Sequence, residues 1–210
     1  MARVGILGGT FNPPHIGHLS VARAALEQLQ LARVVLVPAR TPPHKAIECE
    51  PGPEHRFEMC RLTAAGDKRI EVSRVELDRE GPSYTVDTLR LLHEQAPDDE
   101  LTLIVGSDMA VDLPRWRDPE GILGLASLAV AARAGAERET VRRRLAALRG
   151  AERVAFLDME EVDVSSSLVR ERVARGLEIK DLVADGVAEY IEDHGLYRKP
   201  GVLAEQEVTA

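Results

Sequence analysis

A short, mainly apolar run from Arg3 to Leu7 stops at Gly8-Gly9, and after Pro13-Pro14 the chain takes up helical spacing at once. The run reads as a buried strand ended by a tight turn. From Ile16 to Leu31, the residues Leu19, Ala22, Leu26 and Leu29 recur at intervals that share one helix face. Val34 to Val37 is a second buried strand, stopped by Pro38. A strand, a crossover helix and a second buried strand call for a right-handed connection and a parallel sheet.

The alternation continues along the chain. Helices are expected over Glu54–Ala65, Tyr84–Gln95 with Ser83 as its cap, Pro119–Leu125, the basic stretch Thr140–Leu148, Ser166–Arg175 and Asp185–His194. Ile70–Leu77 reads as extended, and Leu101–Val105, Leu128–Ala132 and Val154–Leu157 as strands. The expected fold is α/β: a doubly wound, Rossmann-like parallel sheet with C-terminal helices. One domain would span residues 1–198, with its helical part from about 165 to 198 and a loose tail over 199–210.

The net charge of −8 makes nonspecific binding to nucleic acid or to an anionic membrane surface unfavourable. Aromatics make up 3% of the chain, too few for a platform that stacks bases. Cys49 and Cys60 form no CxxC pair, which fits two reduced thiols in a cytoplasmic protein. No apolar run approaches the roughly 18 residues of a membrane span, and no basic and apolar leader precedes the first strand. The oligomeric state is left open, a homo-oligomer included.

In doubly wound sheets, ligands sit beyond the C-terminal ends of the strands. Gly8 to His18, Pro38 to Lys45 and Gly106 to Asp108 all fall there. Glycines after the first strand let backbone N–H groups approach an anion, and the next helix adds the positive end of its dipole. His15 and His18 stand three apart on the first turn of that helix, where both face whatever the loop holds. An imidazole donates to a phosphate oxygen and gains full charge when protonated. Asp108, just past Gly106, is well placed to accept hydrogen bonds from a ribose.

Gly8 to His18 resembles the signature of the HxGH nucleotidyltransferase superfamily. His15-Ile16-Gly17-His18 is also spelled in class I aminoacyl-tRNA synthetases, so this motif implies attack at the α-phosphate of ATP and leaves the acceptor open. The later segment Val164-Ser165-Ser166-Ser167-Leu168-Val169-Arg170 resembles the ISSTxxR motif of the small nucleotidyltransferases, with Ser167 where many relatives have Thr. The synthetases use a KMSKS loop there, and this chain has none.

Further segments resemble the bacterial nicotinate-nucleotide adenylyltransferases. They are Thr41-Pro42-Pro43-His44-Lys45, His55-Arg56-Phe57-Glu58-Met59, Gly81-Pro82-Ser83-Tyr84-Thr85, Gly106-Ser107-Asp108, Leu113-Pro114-Arg115-Trp116 and Tyr190 to Tyr197. Arg133-Ala134-Gly135 departs from a common Arg-Pro-Gly and leaves the role of Arg133 open.

The resemblance implies transfer of the adenylyl group of ATP to nicotinate mononucleotide. His15, His18, Lys45 and Arg170 would be catalytic. Gly8, Gly9, Thr10, Phe11, His15, His18, Gly106, Asp108, Ser165, Ser166 and Arg170 would bind ATP. Lys45, Tyr84, Thr85 and Trp116 would bind the nicotinate nucleotide. Mg²⁺ would bridge phosphate oxygens with no dedicated protein ligands. Two other readings stand beside this one: nicotinamide mononucleotide as acceptor, and a nucleotide-binding module without catalysis. The arginines at 142, 143, 144 and 149 read as a solvated helix face.

Overall fold

A computed structural model describes residues 1–42, 47, 49–132, 135–159 and 162–198. Six parallel strands make one sheet: β1 (Arg3–Gly9), β2 (Arg33–Pro38), β3 (Ile70–Val72), β4 (Glu100–Gly106), β5 (Ala126–Ala131) and β6 (Val154–Leu157). Their spatial order is β3-β2-β1-β4-β5-β6. This is the doubly wound arrangement expected from the alternation of elements. The order reverses between β1 and β4, which are hydrogen-bonded neighbours, so a crevice opens beyond their C-terminal ends.

The helices among the described residues are α1 (Ile16–Gln28), α2 (Pro53–Ala64), α3 (Thr85–Gln95), α4 (Ser107–Asp112), α5 (Pro119–Leu125), α6 (Ala136–Leu145), α7 (Ser166–Ala174) and α8 (Val187–Asp193). They cover both faces of the sheet, which is why its strands read as continuous apolar runs. Successive strand residues alternate between the faces. Ile6, Leu103 and Val130 join a cluster with Val86 and Leu89 of α3, Ile122 of α5 and Val141 of α6. Leu7, Ile104 and Ala129 join the opposite cluster with Ala22 and Leu26 of α1 and Cys60 of α2. Gly5 permits the second packing: a Cβ there would lie 2.7 Å from Ile104 and 2.8 Å from Leu31. A third cluster joins Met59 of α2 to Val169 of α7 and to Val187 and Ile191 of α8.

Several boundaries differ from those expected, each for a local reason. The first helix ends at Gln28 because Gln30 adopts φ 51° and reverses the chain, yet Leu31 still enters the core. β3 keeps only three residues, and a turn follows in which Asp78 N–H donates to Arg74 O at 2.9 Å. Ser83 does not cap α3; the N-cap is Tyr84, and the Ser83 hydroxyl is engaged elsewhere. The basic helix starts earlier than expected, after Gly135 at φ 79°, and Arg142, Arg143 and Arg144 on it are exposed. The six-residue α4 was not anticipated, being too short to show a period. No helix among the described residues is long and apolar enough to cross a membrane. Lys45, Arg133 and the tail expected over 199–210 lie outside the described residues.

Candidate active site

A cleft of about 660 Å³ opens at the C-terminal ends of β1, β2 and β4. Of the residues expected to bind ligand, Gly8, Gly9, Thr10, Phe11, His15, His18, Tyr84, Thr85, Gly106, Trp116 and Ser166 line it. Asp108 is exposed on α4 and not on its wall, although Gly106 and Met109 are. Ser165 and Arg170 are likewise not on the wall. A second hollow, about 440 Å³, lies beside α6 and the start of β6 and holds none of the expected residues.

The tight turn expected at Gly8-Gly9 falls later. Both glycines belong to β1, paired with Val37 and Pro38. A Cβ on Gly8 would enter open space, and one on Gly9 would meet the Phe11 ring at 3.1 Å. The chain turns at Phe11, a buried residue at φ 50°, a conformation that side-chain-bearing residues seldom adopt. Its ring packs edge-on against His18, with centroids 4.9 Å apart.

Donors on the far side hold this turn by its carbonyls. Arg56, with no exposed surface, donates to Thr10 O at 2.8 Å, to Glu50 Oε1 at 2.8 Å and to Arg40 O at 3.5 Å. Arg170 donates to Asn12 O at 2.9 Å and to Ser167 Oγ at 3.2 Å. The Ser166 hydroxyl donates to Pro13 O at 2.8 Å, and the Tyr197 hydroxyl to Asn12 Oδ1 at 2.7 Å. The C=O and N–H of a trans peptide point in opposite directions. Pulling the Thr10 carbonyl toward Arg56 therefore turns the Phe11 N–H away from Arg56. Ser165 is the N-cap of α7, accepting from Leu168 N–H at 3.1 Å.

His15 is the N-cap of α1 and His18 lies three residues on. Their ring centroids are 3.8 Å apart. The His15 N–H donates to His18 Nδ1 at 3.2 Å, so the neutral His18 ring carries its hydrogen on Nε2. His15 Nδ1 is buried without a hydrogen-bond partner. Burial depresses both rings: His15 to about 4, and His18 to about 3 with further help from His15. Both are therefore neutral near pH 7 in the free protein. Gly17 between them fits closely: a Cβ would stand 3.0 Å from His15 Nδ1 and 3.1 Å from Val164, so these side chains would have to give by a few tenths of an ångström.

The far end of the cleft is organised by Ser83, Arg40 and Glu76. Ser83 Oγ accepts from Arg40 N–H at 3.1 Å and from Thr41 N–H at 3.3 Å, joining the segment after β2 to the start of α3. Arg40 donates to the carbonyls of Leu77 and Arg79 at 3.1 Å each. Glu76 is buried on the cleft wall and accepts from Thr88 Oγ1 at 2.6 Å. Desolvation raises its pKa, partly offset by its hydroxyl partners. A sequence signal did exist for Arg56: it shares the inward face of α2 with Met59, Cys60 and Thr63, all buried. Glu76 precedes its helix in a turn and offered no such period.

A cleft at the switch point of this sheet, beyond the C-terminal ends of its strands, defines a doubly wound α/β protein of the ligand-binding kind. Residues 6–172 match the cytidylyltransferase-like family model. A probable nicotinate-nucleotide adenylyltransferase from Geobacillus thermodenitrificans is 40% identical over 210 residues, covering all of this chain and 93% of the relative. Another, from Roseiflexus sp. (strain RS-1), is 45% identical over 199 residues, covering 94% and 98%. The chain belongs to the cytidylyltransferase-like family and, within it, to the nicotinate-nucleotide adenylyltransferases. The fold is shared with Plasmodium falciparum nicotinic acid mononucleotide adenylyltransferase complexed with NaAD, at a TM-score of 0.75, 19% identity, and coverage of 94% of this chain and 98% of that one.

Proposed function

We propose that this chain transfers the adenylyl group of ATP to nicotinate mononucleotide, giving deamido-NAD and diphosphate, a step of NAD biosynthesis. The observation that carries the reading is one continuous cleft. It runs from His15 and His18 at the start of α1 to Tyr84, Thr85 and Trp116.

The 5′-phosphate of the mononucleotide attacks the α-phosphorus of ATP. The new P–O bond forms as the bond to the bridging oxygen breaks, and that oxygen leaves with diphosphate. The nucleophile is already an anion, so positioning and charge stabilisation carry most of the catalysis. His18 would donate from Nε2 to a phosphate oxygen, and the unpartnered His15 Nδ1 would find its partner there. Gly8, Gly9, Thr10 and Phe11 would lend backbone N–H groups. Gly106 on the wall would meet the adenosine part of ATP, with Asp108 exposed beside it at the rim, and Lys45 the attacking or bridging phosphate.

Ser166 and Arg170 would steady the leaving diphosphate; in the free protein both brace the loop through Pro13 O and Asn12 O. Ser165 would contribute through the α7 N-terminus that it caps. Trp116 would stack on the pyridine ring, with Tyr84 and Thr85 beside it. Mg²⁺ on the phosphate oxygens of ATP would neutralise charge as diphosphate leaves.

Pyrophosphate release from Mg-ATP with each acceptor tests the proposal. Release with nicotinate mononucleotide, faster than with nicotinamide mononucleotide, is expected. Faster release with the amide would overturn the acid preference, and no release with any acceptor would leave a binding module.

A further inference from the structure

Arg117 stands directly after Trp116 and lines the same cleft. Its guanidinium lies over the Tyr84 ring, 4.7 Å from the centroid, and the side chain keeps 57% of its exposure. Trp116 and Tyr84 both line the cleft, and the cation lies over the Tyr84 ring. Such a contact holds a guanidinium over a ring without consuming its N–H donors.

Arg117 is only loosely held by its acidic neighbour. Asp87 is shared by three guanidinium groups: Arg90 at 3.3 Å, Arg79 at 3.4 Å and Arg117 at 3.6 Å. The Arg117 pair is the longest of the three and exceeds hydrogen-bonding distance. Arg90 also pairs with Asp118 at 2.6 Å. Three arginines thus share two aspartates on this rim, and Arg79 also faces Glu76 on the cleft wall. The carboxyl group on the cleft wall, Glu76, is occupied by Thr88 Oγ1.

We infer that Arg117 is a specificity-determining residue: its guanidinium selects a pyridine nucleotide bearing a carboxylate over one bearing a carboxamide. The inference rests on the acceptor reading proposed above. A carboxylate offers acceptors only, which match the donor-only guanidinium. A carboxamide is neutral and turns an NH₂ donor toward the same group, so it gains less. Backbone N–H groups near Thr85 can donate to a carboxylate, but they donate to an amide oxygen equally well and discriminate less.

The test compares kcat/KM for nicotinate and nicotinamide mononucleotide, with saturating Mg-ATP, in the intact protein and in Arg117→Gln and Arg117→Lys. Gln keeps length and polarity but loses the charge. Arg117→Gln should lower the acid-to-amide ratio about 10-fold, mainly through KM for the acid, and Arg117→Lys should retain part of it. An unchanged ratio in an Arg117→Gln protein that still turns over would overturn the inference and leave the proposed reaction intact. An intact protein that prefers the amide, or turns over neither nucleotide, would overturn both.

Discussion

The backbone N–H of His15 donates to Nδ1 of His18 at 3.2 Å, and this bond leaves Nε2 as the donor of the neutral His18 ring. One helix turn thus supplies both the imidazole and the group that sets its tautomer. The paired rings, 3.8 Å apart, are kept neutral by burial.

Replacing His18 by Ala should lower turnover about 10²–10³-fold, the usual effect of removing one donor that stabilises developing charge. The fold should persist, because His18 lies at the cleft and the packing of α1 rests on Ala22, Ala25 and Leu26. Steady-state kinetics with a thermal melt on the same sample check this. A near-normal rate would remove His18 from the proposed mechanism.

The depressed pKa values carry a sign. Both histidines have folded values, about 4 and about 3, below the reference of 6.5. Below 6.5 the unfolded chain binds protons that the folded chain refuses, so stability present above pH 6.5 is lost as pH falls toward 4. Glu76, whose pKa is raised, works in the opposite direction. The difference between wild type and His18→Asn isolates the histidine: the variant's melting temperature should fall less between pH 7 and pH 5. Binding of ATP should also take up protons near pH 6, read as a dependence of the calorimetric heat on buffer ionisation enthalpy.

Arg56→Lys should cost about 1–3 kcal/mol, because an ammonium cannot span the acceptors that the planar fork reaches. The same change loosens the Thr10 carbonyl and should raise KM for ATP. Denaturant midpoints at constant slope, together with ATP titrations, separate the two effects. A stability loss with unaltered KM would confine Arg56 to the core.

Trp116 is the single tryptophan, so intrinsic fluorescence reports on one position. Nicotinate mononucleotide should quench it, and Trp116→Ala should raise KM for that nucleotide about 3–10-fold, the range of a lost aromatic stack. Unaltered fluorescence at saturating nucleotide would place the pyridine ring elsewhere.

Much of this architecture could be read from periodicity, because both faces of the sheet are covered. Strands such as Leu101–Val105 then have to be apolar throughout, and helices such as α1 carry a clear inward stripe. The His15–His18 pair was legible because both residues fall on one helix turn after one strand. Contacts that cross the chain left no such trace. The ties from Arg56 to Thr10, from Ser83 to Arg40 and from Tyr197 to Asn12 join residues 46, 43 and 185 positions apart. Ser83 shows the cost of a local rule: a serine before a helix reads as a cap, but its hydroxyl had a tertiary use. Phe11 shows another, since the turn was assigned to the glycines and the structure makes it with a buried phenylalanine.

The central claim is transfer of the adenylyl group to nicotinate mononucleotide. Its most direct measurement follows ATP labelled separately at the α- and γ-phosphorus, incubated with the protein and the mononucleotide. The account predicts α-label in deamido-NAD and γ-label in diphosphate, in equal amounts and at equal rates. α-Label found only in free AMP, or γ-label carried to the acceptor, would contradict it.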